Sequence, residues 1–369
     1  MNKCLNKLMR YNQPLMIGLL VLFSALTLQG QNNKISQVDS ILSHWYGPNA
    51  PSVSVLIMHE DEVKVKNSYG LANIDKDKEA RAYTNYDLGT LTEQFTAMAV
   101  MILIESDQLK IKESISAIFH GLPDYCQAIQ VKHLINHTSG LPYLKRMKFY
   151  REVAGFDDVK KFLNNNEQLN EPGQKTRLNP VNYALLASVI EKVTGNSYRK
   201  FVKKRIFSPL GMEDSRVYKK GWFSGVPNKS ISYLRRNDTI YENAGVFPDK
   251  YFEGAIGVFS NLNDIKKWLL AWKTDTLVSK KMLNKAKQIN FFRGQKIFPG
   301  YGWIKAFNNK GSKYLYRGGI GRGSTNILLR LPEEDISVAI LSNQASLFGM
   351  HRRAFELVNL YSERQYSTD

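Results

Sequence analysis

Two strand-like pairs at opposite ends of this chain constrain its fold more than any other feature. Residues 52–59 (SVSVLIMH) and 63–67 (VKVKN) read as strands around the polar turn Glu60–Asp61, a hairpin. Near the other end, 325–331 (TNILLRL) and 336–342 (ISVAILS) flank the turn Pro332–Asp335 in the same way. A lone hairpin leaves its outer backbone groups unpaired, so each must find a neighbour, and the simplest neighbour is the other. The expected architecture is α/β in the α+β sense. An antiparallel sheet is assembled from both chain ends, helices flank it, and a long helical region is inserted between. The boundaries fall at about 40–88 and 255–369 for the sheet part and about 89–254 for the mostly helical insertion, within one domain spanning 31–369.

The insertion opens with the clearest helix. Phe95, Met98, Ala99, Ile102 and Leu103 repeat at the spacing of a buried stripe. Thr90 and Glu93 stand just before it in the pattern of a capping box, where each side chain satisfies the other's free backbone N–H. A final helix is expected from about Ser346 to Tyr361, with Leu347, Met350, Ala354 and Leu357 on one face.

The N-terminal thirty residues stand apart. Lys3, Lys7 and Arg10 precede a 14-residue apolar run, Leu15–Leu28, which suits a signal-peptide core and is short of a membrane span. The reading is export to the periplasm or medium after cleavage near Gly30, with a membrane anchor at residues 15–28 as the alternative. Cys4 precedes the apolar run, which is the wrong side for a lipidated cysteine, and Cys126 would be the one cysteine of the mature chain. That excludes a disulfide framework and a multi-cysteine metal site.

Three segments carry further information: Gly89-Thr90-Leu91-Thr92-Glu93-Gln94-Phe95-Thr96-Ala97, then His133 to Pro142 (HLINHTSGLP), then Ile206 to Met212 (IFSPLGM). In order and content they resemble the serine β-lactamase-like superfamily: class C β-lactamases, penicillin-binding carboxypeptidases and related esterases. The resemblance runs over about residues 40–345 and ends in Leu341-Ser342-Asn343, like the family's L-S-N strand end. It implies the family fold, an antiparallel sheet beside an all-helical region, and a serine hydrolase site.

The residues that would do the chemistry differ. The resemblance places a nucleophilic serine at Thr90 and its lysine at Glu93, one helical turn on. Threonine has a hydroxyl, crowded by its β-branch; glutamate is a base only if burial raises its pKa. The family's Y-x-N tyrosine falls on Leu178 and its asparagine on Pro180, leaving Asn179 or Asn182 to face the pocket or to cap the next helix. The strand motif H-x-G or K-T-G becomes Arg317-Gly318-Gly319, with a cation that binds a carboxylate and removes no proton. Gly319 would let a substrate approach the strand backbone.

The expectation is an exported protein whose catalytic apparatus has degenerated and which binds an acidic peptide or cell-wall fragment. The alternative is an active hydrolase with an altered Thr90/Glu93 site. No cofactor is implied. Metal is not expected at His133 and His137, since no third ligand has suitable spacing, and Ser139 and Cys126 are read as structural. The net charge of +18, or +15 without the three cations of residues 1–30, is scattered without a long basic run, so nucleic acid is not expected as partner. One contact is specifically expected. With a carboxylate where a lysine should be, Glu93 should meet Arg317 across the cleft. In the competing expectation Glu93 serves its own helix cap and Arg317 stays free for an acidic ligand.

Overall fold

In the computed structural model of the protein the two end hairpins do pair with each other. The structure describes residues 33–47, 49–143, 155–218, 225–237, 240–245, 252–289, 297–308, 311–347 and 349–367. The apolar run 15–28 and the expected cleavage point lie outside them. The chain divides into two compact units, residues 1–44 and 45–369. The first contains a helix at 33–42.

The second unit is built on a seven-stranded antiparallel sheet. Its strands are β1 (Val53–His59), β2 (Glu62–Tyr69), β3 (Phe298–Gly300), β4 (Trp303–Phe307), β5 (Lys313–Ile320), β6 (Thr325–Leu331) and β7 (Ile336–Ser342), in the order β3-β4-β5-β6-β7-β1-β2. β1 lies against β7 from Val53↔Ser342 to His59↔Ile336, the expected junction of the two ends. The β1–β2 turn places both Glu60 and Asp61 at positive φ, which matches the twist of a tight hairpin.

One sheet face carries Leu56, Leu315, Leu328 and Ala339 into the core formed with the helices. Arg317 sits opposite Leu328 in register, so it belongs to this face. The helices framing the sheet and the site are α1 (Thr92–Glu105), α2 (Pro180–Thr194), α3 (Leu262–Ala271), α4 (Lys280–Lys287) and α5 (Met350–Asn359), with a further helix at Phe156–Asn164 and shorter turns between. α5 covers the opposite face, where Phe355 meets Tyr314 edge-on at 5.0 Å between ring centres.

Three expectations need correction. α1 has no single stripe: every residue from Thr92 to Leu103 is buried, because neighbours surround it. α5 is shorter than 346–361, since Ser346 and Gly349 take positive φ and break the helical path before Met350. The insertion is not all-helical either. Short strands stand at Arg216–Val217, Tyr233–Arg235 and Tyr241–Asn243, and the first joins Val258–Ser260, which also pairs with Tyr86–Asp87. That small sheet carries the chain into the start of α1.

Candidate functional site

The turn Gly89–Leu91 leads into α1 and presses against the end of β5. Gly89 has φ +53°, and a Cβ there would stand 2.3 Å from the carbonyl carbon of Ile320. A Cβ on Gly319 would stand 2.4 Å from the Leu88 oxygen. Gly319 therefore serves the packing of Leu88 and Leu91, which corrects its expected role of admitting substrate. Gly318 alternates to the other face, with nothing within 4 Å of where its Cβ would be.

This close contact decides what Thr90 does. Its hydroxyl donates to the Gly318 oxygen at 3.1 Å and accepts from the Ile320 N–H at 3.2 Å. The capping box does not form. The residue before α1 is Leu91, at φ −61° and ψ −21°, without a side-chain cap. A capping side chain needs an extended residue at that place, and here the chain is already coiled through Gly89–Leu91.

Glu93 is instead drawn inward. It is 2 % exposed, and its Oε2 accepts from Arg317 Nη2 and from His137 Nε2, the latter at 3.1 Å. Arg317, 4 % exposed, is thus spent on Glu93, so the expected bridge is present and the free arginine is not. His137 has its ring fixed from behind. The Asn179 backbone N–H donates to its Nδ1 at 3.1 Å, with Asn182 Nδ2 at 3.2 Å from the same atom. A backbone N–H can only donate, so Nδ1 is bare and the ring proton sits on Nε2, facing Glu93. Carboxylate, guanidinium and neutral imidazole form a buried cluster with no net charge. Such a pair is tolerated because each partner offsets the other's lost hydration.

Tyr183 lies beside His137, ring centres 4.9 Å apart and the planes tilted by 32°. Its hydroxyl donates to the Ile135 oxygen and accepts from the Gly302 N–H, both at 3.0 Å. Burial, reinforced by the charge of Glu93, holds this phenol far above its ordinary pKa. It cannot stand in for the missing tyrosine as a proton carrier.

The other expected residues are also accounted for. Leu178 is 40 % exposed and offers only hydrocarbon. Pro180 opens α2, where its missing N–H costs nothing. Asn179, expected to bind ligand, caps α2: its Oδ1 accepts from the Val181 N–H at 3.1 Å, and its Nδ2 donates to the oxygens of Leu141 and Pro142 at 3.2 and 3.0 Å. Ser139 donates to Asn182 Oδ1 at 2.6 Å. His133 Nδ1 accepts from the Gln130 N–H at 3.0 Å, capping its own short helix. Burial pushes the Cys126 thiol up to about 12, so it is not a nucleophile. Sequence reasoning missed His137 as the second partner of Glu93. The available signal was the acid itself, since a buried carboxylate needs more than one donor.

Among the described residues, no side chain accepts a hydrogen bond from the Thr90 hydroxyl. The hydrogen bonds of Thr90 Oγ1 go to backbone groups alone, and the hydrogen bonds of Glu93 come from Arg317 and His137.

A family model described as Beta-lactamase matches residues 39–362. Penicillin-binding protein 4* of Bacillus subtilis (strain 168) is 26% identical over 311 residues, covering 79% of this chain and 68% of its own length. Protein flp of Staphylococcus aureus (strain COL) is 22% identical over 355 residues, or 91% of this chain and 68% of that protein. Among solved structures, the octameric penicillin-binding protein homologue from Pyrococcus abyssi superposes with a TM-score of 0.77 at 23% identity, covering 91% of this chain and 79% of that one. The penicillin binding protein from Bacillus halodurans gives 0.73 at 19% identity, covering 87% and 97%. These two likenesses concern the fold.

Proposed function

The chain belongs to the β-lactamase family, and within that family we propose that it is an exported, non-hydrolysing member that acts by binding. One observation carries this reading: Glu93 stands in the lysine position and is held by Arg317 and His137. Acyl transfer needs a group that takes the nucleophile's proton as its oxygen attacks. The Thr90 proton points at the Gly318 carbonyl, which is no base, and the carboxylate that replaced the lysine is turned away. Loss of a general base costs about 10²–10⁴ in rate, and the tyrosine position is also empty of proton chemistry.

The binding partner we propose is an acidic peptide or cell-wall fragment. The net charge of +18 and the penicillin-binding names of the relatives favour it. With Arg317 engaged, such a partner would be held by other basic side chains of the surface. Export rests on the apolar run Leu15–Leu28 behind Lys3, Lys7 and Arg10.

The test is covalent labelling. The protein is incubated with benzylpenicillin and with an activated ester, and its intact mass is measured. No adduct is expected from either. A stoichiometric adduct on Thr90 would establish a working nucleophile and overturn the reading.

A further inference from the structure

The core face of the large sheet holds cations besides Arg317. Arg330 on β6 sits opposite Leu315 on β5, and Leu315 sits opposite Lys305 on β4, so the three form one row on that face. Arg330 is 4 % exposed, yet among the described residues neither its Nε nor its Nη1 has a hydrogen-bond partner. A buried donor left unmade is costly, and more so on a charged group, so a guanidinium at this depth requires an acceptor. The neighbouring acids are engaged elsewhere. Asp61 and Asp335 act on Arg330 through space, but both are bound by the Lys273 ammonium.

Three lysines gather at the same place. Lys305, 1 % exposed, donates to the Gln288 oxygen at 2.8 Å, and Lys313 donates to the Lys287 oxygen. These two serve the C-terminal end of α4, whose last carbonyls attract cations. Lys287 is itself the last residue of α4 and half-buried. Burial, then the charges of Arg330, Lys313 and Lys273, push its ammonium down to about 8. Burial, with the charge of Lys313, pushes Lys305 down to about 7. A further acid acting here, Glu333 on Lys313, is exposed and paired with Arg364. Cations packed in this way repel one another, and a small anion set among them would relieve both the repulsion and the unmade hydrogen bonds.

From the unpartnered guanidinium of Arg330 beside Lys287, Lys305 and Lys313, we propose a binding site for an unattached tetrahedral oxyanion, sulfate or inorganic phosphate. The donors come from three strands and a helix end, directions that do not share one plane. Four acceptor oxygens and two negative charges suit them better than a planar monocarboxylate does. The depth of Arg330 leaves no place for an anion carried on a larger body. Thr90, Glu93, Leu178 and Arg317 take no part, so the inference is independent of whether Thr90 carries chemistry.

The experiment follows thermal unfolding of the purified protein at pH 7 as sodium sulfate or sodium phosphate is raised to about 20 mM, with sodium chloride adjusted to hold ionic strength constant. A saturable rise in Tm of about 3 °C or more is expected with at least one of the two anions. Acetate and glycerol 3-phosphate should give none. Sulfate and phosphate also stabilise folded chains by exclusion from their surface, but that rise does not saturate and is shared by every variant. Arg330→Met should lose the saturable rise. Lys287→Gln changes a half-buried helix-end residue, should fold, and should weaken the anion by about tenfold, which keeps the test decisive if Arg330→Met does not fold. Arg352→Gln, on α5 at the opposite face, should respond as the parent does. The proposal is overturned if neither anion gives a saturable rise, or if acetate or glycerol 3-phosphate matches them. It is equally overturned if a folded Arg330→Met or Lys287→Gln keeps the parent's response, or if Arg352→Gln loses it.

Discussion

Glu93 is a charge in a place that water barely reaches, and two donors make it tolerable. Removing one partner of such a buried pair is far more damaging than the pair is stabilising. Arg317→Gln is therefore expected to cost about 3–5 kcal/mol in urea unfolding. In a double-mutant cycle with Glu93→Gln, the coupling should exceed about 1 kcal/mol. Coupling near zero would mean that the two charges do not interact. Thr90 gives a second expectation. Thr90→Ala loses two backbone contacts and should cost about 1–2 kcal/mol, whereas Thr90→Ser should be nearly neutral. Thr90→Ser should also hydrolyse no β-lactam, since no base is restored; measurable turnover would refute that. The pairing of Glu93 with Arg317 was legible in the sequence as an inverted charge opposite a retained cation. The capping box was equally legible and does not exist. Its formation depends on the backbone before Thr90, and that is set by a contact with β5 more than two hundred residues away.

Among the elements, the long strands and α1 could be read because their patterns are local, and the pairing of β1 with β7 followed from having no other neighbour. The short strands at 216–217, 233–235 and 241–243 could not be read. Two or three residues carry no periodicity, and their pairing is decided by what lies alongside. The glycines divide in the same way. Gly319 was read as a place for substrate, and only the packed structure shows Leu88 and Leu91 filling it. Gly89→Ala and Gly319→Ala should each destabilise the junction of α1 and β5 by about 2–4 kcal/mol, through overpacking and, at Gly89, a left-handed backbone. Gly318→Ala, one residue from Gly319 and facing open space, should stay within about 0.5 kcal/mol of the parent. Equal losses at Gly318 and Gly319 in thermal unfolding would contradict the packing described for β5.

At the scale of the molecule, charge governs the response to acid. Burial holds His351 at about 4, among the rings of Tyr314, Tyr316 and Phe355. Burial, with the charge of Lys132, holds His133 there as well. Both titrate near 6.5 when unfolded, so between about 6.5 and 4 the unfolded chain binds more protons and stability falls with pH. Asp87, raised from 3.8 to about 6, works against this: below 6 the folded state takes up its proton and gains. Two groups against one, on a chain already at +18, give a net loss on acidification. Urea midpoints measured from pH 7 to 4.5 should fall, less steeply for His351→Gln and more steeply for Asp87→Asn. Parallel slopes for the parent and His351→Gln would show that the aromatic pocket does not hold the imidazole neutral.

The Glu93–Arg317 pair also limits which substitutions this site accepts. Placing lysine at position 93 alone would set an ammonium against a buried guanidinium, and replacing Arg317 alone would strand a carboxylate. Either single change should cost more than most point mutations do. The two positions behave as one unit, which tolerates exchange of both residues better than exchange of either.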